Sequence, residues 1–485
     1  MLTLADVWAG VSDLPLPPHI PGDLAFHAVV HDSRQVTSGD LFVALRGETH
    51  DGHDFIAEAL RRGARGVLAA RLSGLEGECW ILDARHDMKS GLSRFPDSLI
   101  TDSLIPVVIL VDDTLVALQR LAGYWRSRFA VEVIGVTGSV GKTTTKEVTA
   151  AVLGQRFRVL KNEKNLNNEI GLPLSLLQLA PEHQKAVLEM GMYARGEIRL
   201  LCQIARPRLG VITNVGPTHL ERLGAIEAIA QAKAELVESL PPDGFAILNG
   251  DDPRVRQMAT RTPATVFIYG QEHNFDLWAD EVSSHGLEGI SLRLHYGRET
   301  ISLQVPLLGA HSVHTVLAAA AVGLIEGLTW EEIVSGLRHV PEQLRLLVVP
   351  GQNGATLIDD TYNSSPASAL AALNLLAEMS GRHIAVLGDM LELGNYEAEG
   401  HRLVGRRAAE VAAALVAVGP RGRLIGEEAR AVGMPPEAVH FAADNATAIA
   451  ILQGLLQPGD FVLIKGSRGM AMEAIVNALR TNGNG

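Results

Sequence analysis

Apolar residues along this chain fall into two alternating rhythms. Short runs of Val, Ile and Leu ending in Gly or Asp, such as GVLAA (66–70), PVVILV (106–111) and VEVIGV (131–136), read as strands buried on both faces. Longer Ala, Leu and Glu-rich stretches separate them, and TTKEVTAAVLGQ (144–155), IEAIAQAKAELVESL (226–240) and MAMEAIVNALR (470–480) have helical composition. Strand followed by helix, repeated, predicts an α/β protein with parallel sheets and helical crossovers. Three blocks are expected: 1–110, closing after the loop-like GLSRFPDSLITDS (91–103); 111–340; and 341–485, where VVPGQNGATLIDD starts a new strand pattern. No internal repeat or low-complexity tract interrupts them.

Composition narrows the function classes. The chain has 485 residues, enough for several domains with their own cores, and 20% of them are charged. With 42 basic against 55 acidic residues, a net charge of −13 and no Lys/Arg block, a nucleic-acid partner is not expected. The apolar runs are too short to span a bilayer, so no membrane insertion is expected. MLTLADVWAGVSD carries no basic segment before an apolar run, which gives no export signal. Only Cys79 and Cys202 occur, which fits a reducing cytoplasm and excludes a disulfide framework or a Cys-based zinc site.

The chemistry begins at GVTGSVGKTTTKE (135–147), set between an expected strand and an expected helix. That is the context of a phosphate loop: Gly138 and Gly141 let backbone amides converge on phosphate oxygens, at the positive end of the helix. Lys142 can reach the β- and γ-phosphates and Thr143 can ligate Mg²⁺, with Ser139 and Thr144 completing the nucleotide-binding set. The first glycine, Gly135, sits slightly off the general spacing, and a Gly-rich turn with a chance Lys-Thr is the competing reading. Other features are weaker alone. The Asn-rich KNEKNLNNEIG (161–171) reads as a turn as readily as a site; Glu189 ends an apolar strand; a single His219 or a helical Lys233 is ordinarily structural or solvated.

Together these segments resemble the Mur ligase family, ATP-dependent amide-forming enzymes that build the peptide of bacterial cell walls. The resemblance rests on TGSVGKTTTKE, on LNNEIG, AVLEMGM (186–192), ITNVGPTHLERLG (212–224) and LNGDDPRV (248–255), and on VVHDSRQVTSGDLFVALRGETHDGHDF (29–55). It implies that Asn167 and Asn168 lie near the phosphates and the acidic substrate. It makes Glu189 and His219 ligands of two Mg²⁺ ions and makes Lys233 a carbamylated lysine that adds oxygen ligands, followed at the expected spacing by Glu235. Lys142, Glu189, His219 and Lys233 would be the catalytic set. Asn249, His311 and Arg345 would contact the nucleotide, while Ser33 and Arg34 would hold the UDP end of the substrate. The implied fold has a small amino-terminal UDP-binding domain, a central phosphate-loop ATPase domain and a Rossmann-like carboxyl-terminal domain.

The third block, DDTYNSSP (359–366), HIAVLGDMLELG (383–394) and VLIKGSRGMAMEAIV (462–476), resembles the branch that joins D-alanyl-D-alanine to UDP-N-acetylmuramoyl-tripeptide. Asp360, Asn363, Lys465, Ser467 and Arg468 would border its cleft, although KGSRG is equally an ordinary turn between strand and helix. A cytoplasmic monomer is implied. Two departures stand out. GAHSVHTVLAA (309–319) keeps His311 but has Ser312 and Thr315 where the family commonly has Asn, and 75–105 is longer than the usual link. Rival readings are another ligase of the superfamily, a non-catalytic nucleotide-binding partner, and a nucleic-acid-stimulated ATPase. The intact Lys142, Thr143, Glu189, His219 and Lys233 argue against the second, and the absent basic surface against the third.

Overall fold

The computed structural model describes residues 1–485 apart from 19, 48, 74–78, 86–104, 164, 219, 340–346 and 482–485. His219, Arg345 and most of the 75–105 stretch therefore lie outside the described residues. The chain divides into two compact units, one of Met1–Gly135, Phe157–Gly191 and Arg199–Pro207, the other of Val136–Arg156, Met192–Ile198 and Arg208–Gly485.

The first unit carries a parallel sheet in the order Val29–Val30, Leu41–Val43, Gly66–Ala69, Val107–Leu110, Trp80–Asp83. Both faces of such a sheet are covered, which explains why its strands read as unbroken apolar runs. Phe42, Val67, Ile81 and Val108 bury one face against Ile56 and Ala59. Helix Thr114–Ser127 is started by Asp113, whose carboxylate accepts from the amides of Leu115 and Val116. It packs on helix Leu4–Val11, where a Cβ at Gly10 would meet the backbone of Leu121 at 2.9 Å, so the helices approach closely only because that position is glycine. In the same unit Val159–Lys161 pairs in parallel with Lys185–Glu189.

In the second unit, Leu209–Ile212, Phe245–Asn249, Thr265–Gly270 and Leu277–Ser284 follow one another as parallel neighbours. The sheet then continues as antiparallel strands Ile290–Tyr296 and Glu299–Val305, an extension that the strand-helix rhythm does not predict. Its signal is the strict alternation in ISLRLHY, whose residues are buried at every second position, with Gly297 turning at φ 58°. Farther along the chain comes a second sheet, in the order Leu347–Pro350, Thr356–Asp360, Asp460–Lys465, Arg382–Gly388, Ala414–Val418, Val439–Ala442, parallel throughout except at the first strand. Period-two geometry separates its two cores: Ala385 and Leu387 enter one cluster, Ile384 and Val386 the other. Burying a side chain the size of Leu387, Ile384 or Val386 contributes ~1.5–3 kcal/mol.

Two helix boundaries differ from the expectation. The helix after the phosphate loop starts at Lys142 rather than 144, because Gly141 at φ 82° already turns the backbone into it. The closing helix is Glu473–Leu479 and not 470–480, since Ala471 takes a left-handed conformation at φ 47° that cannot continue a helix. The α/β class stands as expected.

Candidate active site

The loop after strand Glu132–Thr137 is shaped by its glycines. Gly138 has φ 155°, and a Cβ there would lie 1.8 Å from Thr213 Oγ1. Helix Lys142–Leu153 then begins at Gly141 with no side-chain cap on its first turn. Those leading amides are the donors a phosphate would use.

The segment 213–218 grips the loop from one side. Thr213 Oγ1 and Asn214 Nδ2 donate to the Val140 carbonyl at 2.7 and 2.9 Å, and the Val140 amide donates to Asn214 Oδ1 at 2.9 Å. Ser139 Oγ donates to the Gly216 carbonyl at 3.0 Å and accepts from the Gly216 amide at 2.9 Å and the Thr218 hydroxyl at 3.2 Å. Ser139 thus pins the loop to its neighbour. Lys142 Nζ donates to the Ser139 carbonyl at 3.3 Å, Thr143 is exposed, and Thr144 is half-buried.

Lys233 is 2% exposed on helix Ile226–Glu238. Burial, and then the charge of Lys142, push its ammonium well below the ordinary lysine value of 10.5. Glu235, also buried, accepts from the Gly196 amide at 2.8 Å. Asn249 ends strand Phe245–Asn249 with both ends of its amide engaged: Nδ2 donates to the Thr213 carbonyl at 2.8 Å and Oδ1 accepts from the Asp251 amide at 3.1 Å. The exposed ring of His311 folds back over Gly309, where a Cβ would meet it at 2.8 Å.

In the first unit, Glu189 closes strand Lys185–Glu189 and is 2% exposed. Asn167 Nδ2 donates to its Oε1 at 2.8 Å, while Asn168 Oδ1 accepts from the amides of Ile170 and Gly171, at 3.3 and 2.8 Å, in the turn that leads into helix Gly171–Leu176. The two asparagines therefore have different work, one on the acid and one on the fold. The fully buried Asn162, which the sequence reading did not single out, clamps the strand end: its Oδ1 accepts from the Glu189 amide at 2.9 Å and its Nδ2 donates to the Glu189 carbonyl at 3.0 Å. In the amino-terminal sheet region, Ser33 Oγ donates to Glu58 at 3.2 Å, and the exposed Arg34 forms a two-point pair with Asp32 at 2.9 and 2.7 Å. Those hydrogen bonds lower the Asp32 carboxyl to about 2.

At the carboxyl ends of the last sheet, Lys465 Nζ is buried and pairs with Asp360 Oδ2 at 2.8 Å while donating to the Asn363 carbonyl at 2.8 Å. Burial raises the Asp360 carboxyl, with Lys465 opposing. Ser467 Oγ accepts from the Leu391 amide at 2.8 Å and donates to the Ser364 carbonyl at 3.3 Å, tying two strand-end loops together. Arg468 stays exposed, its guanidinium 5.8 Å from the Tyr362 ring centroid. The ends of parallel strands are where sheets of this type bind ligands.

Among the described residues no group of three His, Cys, Asp or Glu side chains gathers as a metal site, and no helix is long and apolar enough to cross a membrane. The expected Mg²⁺ set mixes Thr143, Glu189 and Lys233 with His219, which lies outside the described residues.

A phosphate loop on a mostly parallel sheet, followed by a second doubly covered α/β sheet, defines a nucleotide-using α/β enzyme. The Mur ligase family catalytic domain matches residues 25–82, the Mur ligase middle domain 136–323, and the Mur ligase glutamate ligase domain 344–468. The chain belongs to the Mur ligase family. It is 40% identical to the UDP-N-acetylmuramoyl-tripeptide--D-alanyl-D-alanine ligase of Synechocystis sp., over 94% of this chain and 92% of that one. To the ligase of the same name from Bacillus subtilis it is 36% identical, with 93% of each chain covered. Among solved structures it is similar to MurF from Acinetobacter baumannii, with a TM-score of 0.82, 29% identity and 98% of both chains covered. MurF ligase from Thermotoga maritima in complex with ADP superposes with a TM-score of 0.75, at 28% identity, over 94% of this chain and 97% of that one.

Proposed function

We propose that this chain joins D-alanyl-D-alanine to UDP-N-acetylmuramoyl-tripeptide at the expense of ATP, releasing ADP and phosphate. The observation that carries the reading is the glycine-shaped loop at an uncapped helix start, in a chain whose relatives of that name match it over nearly its whole length. The terminal carboxylate of the tripeptide attacks the γ-phosphorus of ATP, forming an acyl phosphate as the bond to ADP breaks. The dipeptide amine then attacks the acyl carbon, loses a proton, and expels phosphate as the amide forms. Leading amides of helix Lys142–Leu153 and the Lys142 ammonium stabilise the negative charge that develops on the transferred group.

Glu189, a carboxylate with one oxygen oriented by Asn167, and Thr143, a hydroxyl on the first helical turn, are each of a donor type that Mg²⁺ takes and are assigned to it. His219 and Lys233 are assigned to the same set. When bound, Mg²⁺ supplies charge neutralisation between the triphosphate and the substrate carboxylate. The lowered Lys233 ammonium favours the unprotonated amine, the form that adds carbon dioxide with loss of a proton as the N–C bond forms, and the resulting carbamate would offer oxygen where a cation would repel the metal. Gly138, Ser139, Gly141, Thr144, Asn249, His311 and Arg345 are assigned to the nucleotide. Ser33 and Arg34 are assigned to the UDP end of the acceptor, and Asn167, Asn168, Asp360, Asn363, Lys465 and Arg468 to the reacting substrates. The working domains are taken as 1–110, 111–340 and 341–485, and each matched family domain falls inside one of them. A monomer in the cytoplasm, where ATP and nucleotide-linked precursors are at hand, completes the reading.

Phosphate release from ATP and Mg²⁺ with UDP-N-acetylmuramoyl-tripeptide, measured with and without D-alanyl-D-alanine, tests it. Release is expected to need the dipeptide, and the product to weigh acceptor plus dipeptide less one water. A rate indifferent to both substrates would overturn the assignment.

A further inference from the structure

The two positions where the family commonly has Asn in the segment before helix Val313–Ile325 are turned into the fold. Ser312 is 7% exposed and its hydroxyl donates to the Leu308 carbonyl at 2.7 Å; Thr315 is 8% exposed. Beside them stands a histidine that the motif does not specify. His314 lies three residues after His311, hence on the same side of the turn, and its side chain is 30% exposed. Its Nε2 sits 2.8 Å from Asp251 Oδ2. A carboxylate only accepts, so Nε2 carries the hydrogen and Nδ1 of the neutral ring is left with a lone pair. Asp251 is itself fixed, accepting from the Gln271 amide at 3.1 and 2.9 Å through its two oxygens.

This pair lies at the right remove from the phosphate loop. The Thr213 amide donates to the Thr137 carbonyl at the loop's own strand, and Ile212 pairs with Leu248 on the next. Asn249 and the Asp251 turn are thus two strand spacings, roughly 10 Å, from the loop. That distance is comparable to the reach of an extended nucleoside diphosphate from its terminal phosphate to its base. An apolar ring is at hand as well: Phe275, half-buried, lies so close to the backbone on either side that a Cβ at Gly250 or Gly270 would meet it at 2.5 or 2.7 Å. A flat apolar surface beside one oriented polar atom is what a purine site requires.

We propose that His314, its tautomer fixed by Asp251, reads the edge of the nucleotide base, Nδ1 accepting from the exocyclic amine of adenine. The proposal deepens the reading of the loop as an ATP site and rests on it. A purine with oxygen at the same ring position would set lone pair against lone pair and be rejected.

The test is direct binding of ADP and IDP, each with Mg²⁺, by titration calorimetry on the full chain, which reads base choice whether or not ligation runs. The native chain is expected to favour ADP by ~10-fold or more. His314→Phe keeps the ring's bulk without its acceptor, and is expected to weaken ADP and bring the ADP/IDP ratio to about one. Asp251→Asn provides a second variant: its amide can donate to Nε2, moving the ring hydrogen to Nδ1, and the ratio should shift toward IDP. Melting curves confirm that each variant is folded. Equal binding of ADP and IDP by the native chain, no binding of either, or an unchanged ratio in folded His314→Phe would each overturn the proposal. Failure of the ligation assay with ADP preference intact and lost in His314→Phe would sink the ligase reading and leave this one standing.

Discussion

Asn167 and Lys233 show how single side chains set the chemistry. Asn167 Nδ2 donates to Glu189 Oε1, so removing the side chain takes away a hydrogen bond that orients the carboxylate. With Glu189 a ligand of Mg²⁺, as proposed, Asn167→Ala is expected to lower kcat by ~10–100-fold and to raise the Mg²⁺ concentration needed for half-maximal rate, because partners behind a metal ligand act by holding it in place. An unchanged Mg²⁺ dependence would detach Asn167 from the metal. Of these residues, LNNEIG was legible as an Asn-rich segment, but composition could not say which asparagine holds the acid and which holds the turn before the helix. Asn162 was missed because its importance is burial and bonding to backbone, which neither residue type nor spacing reveals. Lys233 illustrates the opposite case. On the sequence alone a lysine in an amphipathic helix reads as solvated, and only the resemblance marked it, whereas the fold buries it beside the charge of Lys142.

At the scale of elements, two contacts make separable predictions. Helix Trp330–Arg338 opens with a reciprocal cap in which the Thr329 hydroxyl accepts from the Glu332 amide and the Glu332 carboxylate accepts from the Thr329 amide at 2.7 Å. Hydrogen bonds from Arg156, and then from Thr329, lower the Glu332 carboxyl from 4.5 to about 2. A carboxyl depressed in the folded state adds stability above its unfolded value of 4.5, and that contribution fades as the pH falls toward about 2. NMR titration should find the Glu332 midpoint near about 2 in the native chain and back toward 4.5 in Arg156→Met. A native midpoint at 4.5 would break the cap's electrostatic account. The second contact is the buried Lys465 ammonium, which Asp360 neutralises. Asp360→Asn strands that charge and is expected to cost roughly 3 kcal/mol in urea unfolding, the low end for a buried pair because Asp360 is partly exposed. A loss within experimental scatter would mean water reaches Lys465. The parallel strands were legible from their unbroken apolar runs. The antiparallel extension was not, because its alternation was overshadowed by the strand-helix rhythm on either side, although ISLRLHY and Gly297 carry its signal.

For the molecule as a whole, the order of matched segments defined the family more firmly than any one of them, since a phosphate loop alone serves many chemistries. What the sequence could not supply was the wiring between segments. Thr213 and Asn214 fasten the phosphate loop, and Asn249 links them to Asp251 and so to His314. Contacts of that kind depend on which strand ends become neighbours, and that is fixed only by the folded topology.

The claim at the centre of this account is that ATP activates a carboxylate. The most direct measurement uses UDP-N-acetylmuramoyl-tripeptide labelled with ¹⁸O in its terminal carboxylate, with ATP, Mg²⁺ and D-alanyl-D-alanine, followed by mass analysis of the phosphate released. One labelled oxygen should pass to each phosphate formed, because the acyl phosphate breaks between carbon and the oxygen that came from the carboxylate. Phosphate free of label, with all of it retained in the peptide or carried to AMP, would contradict the account.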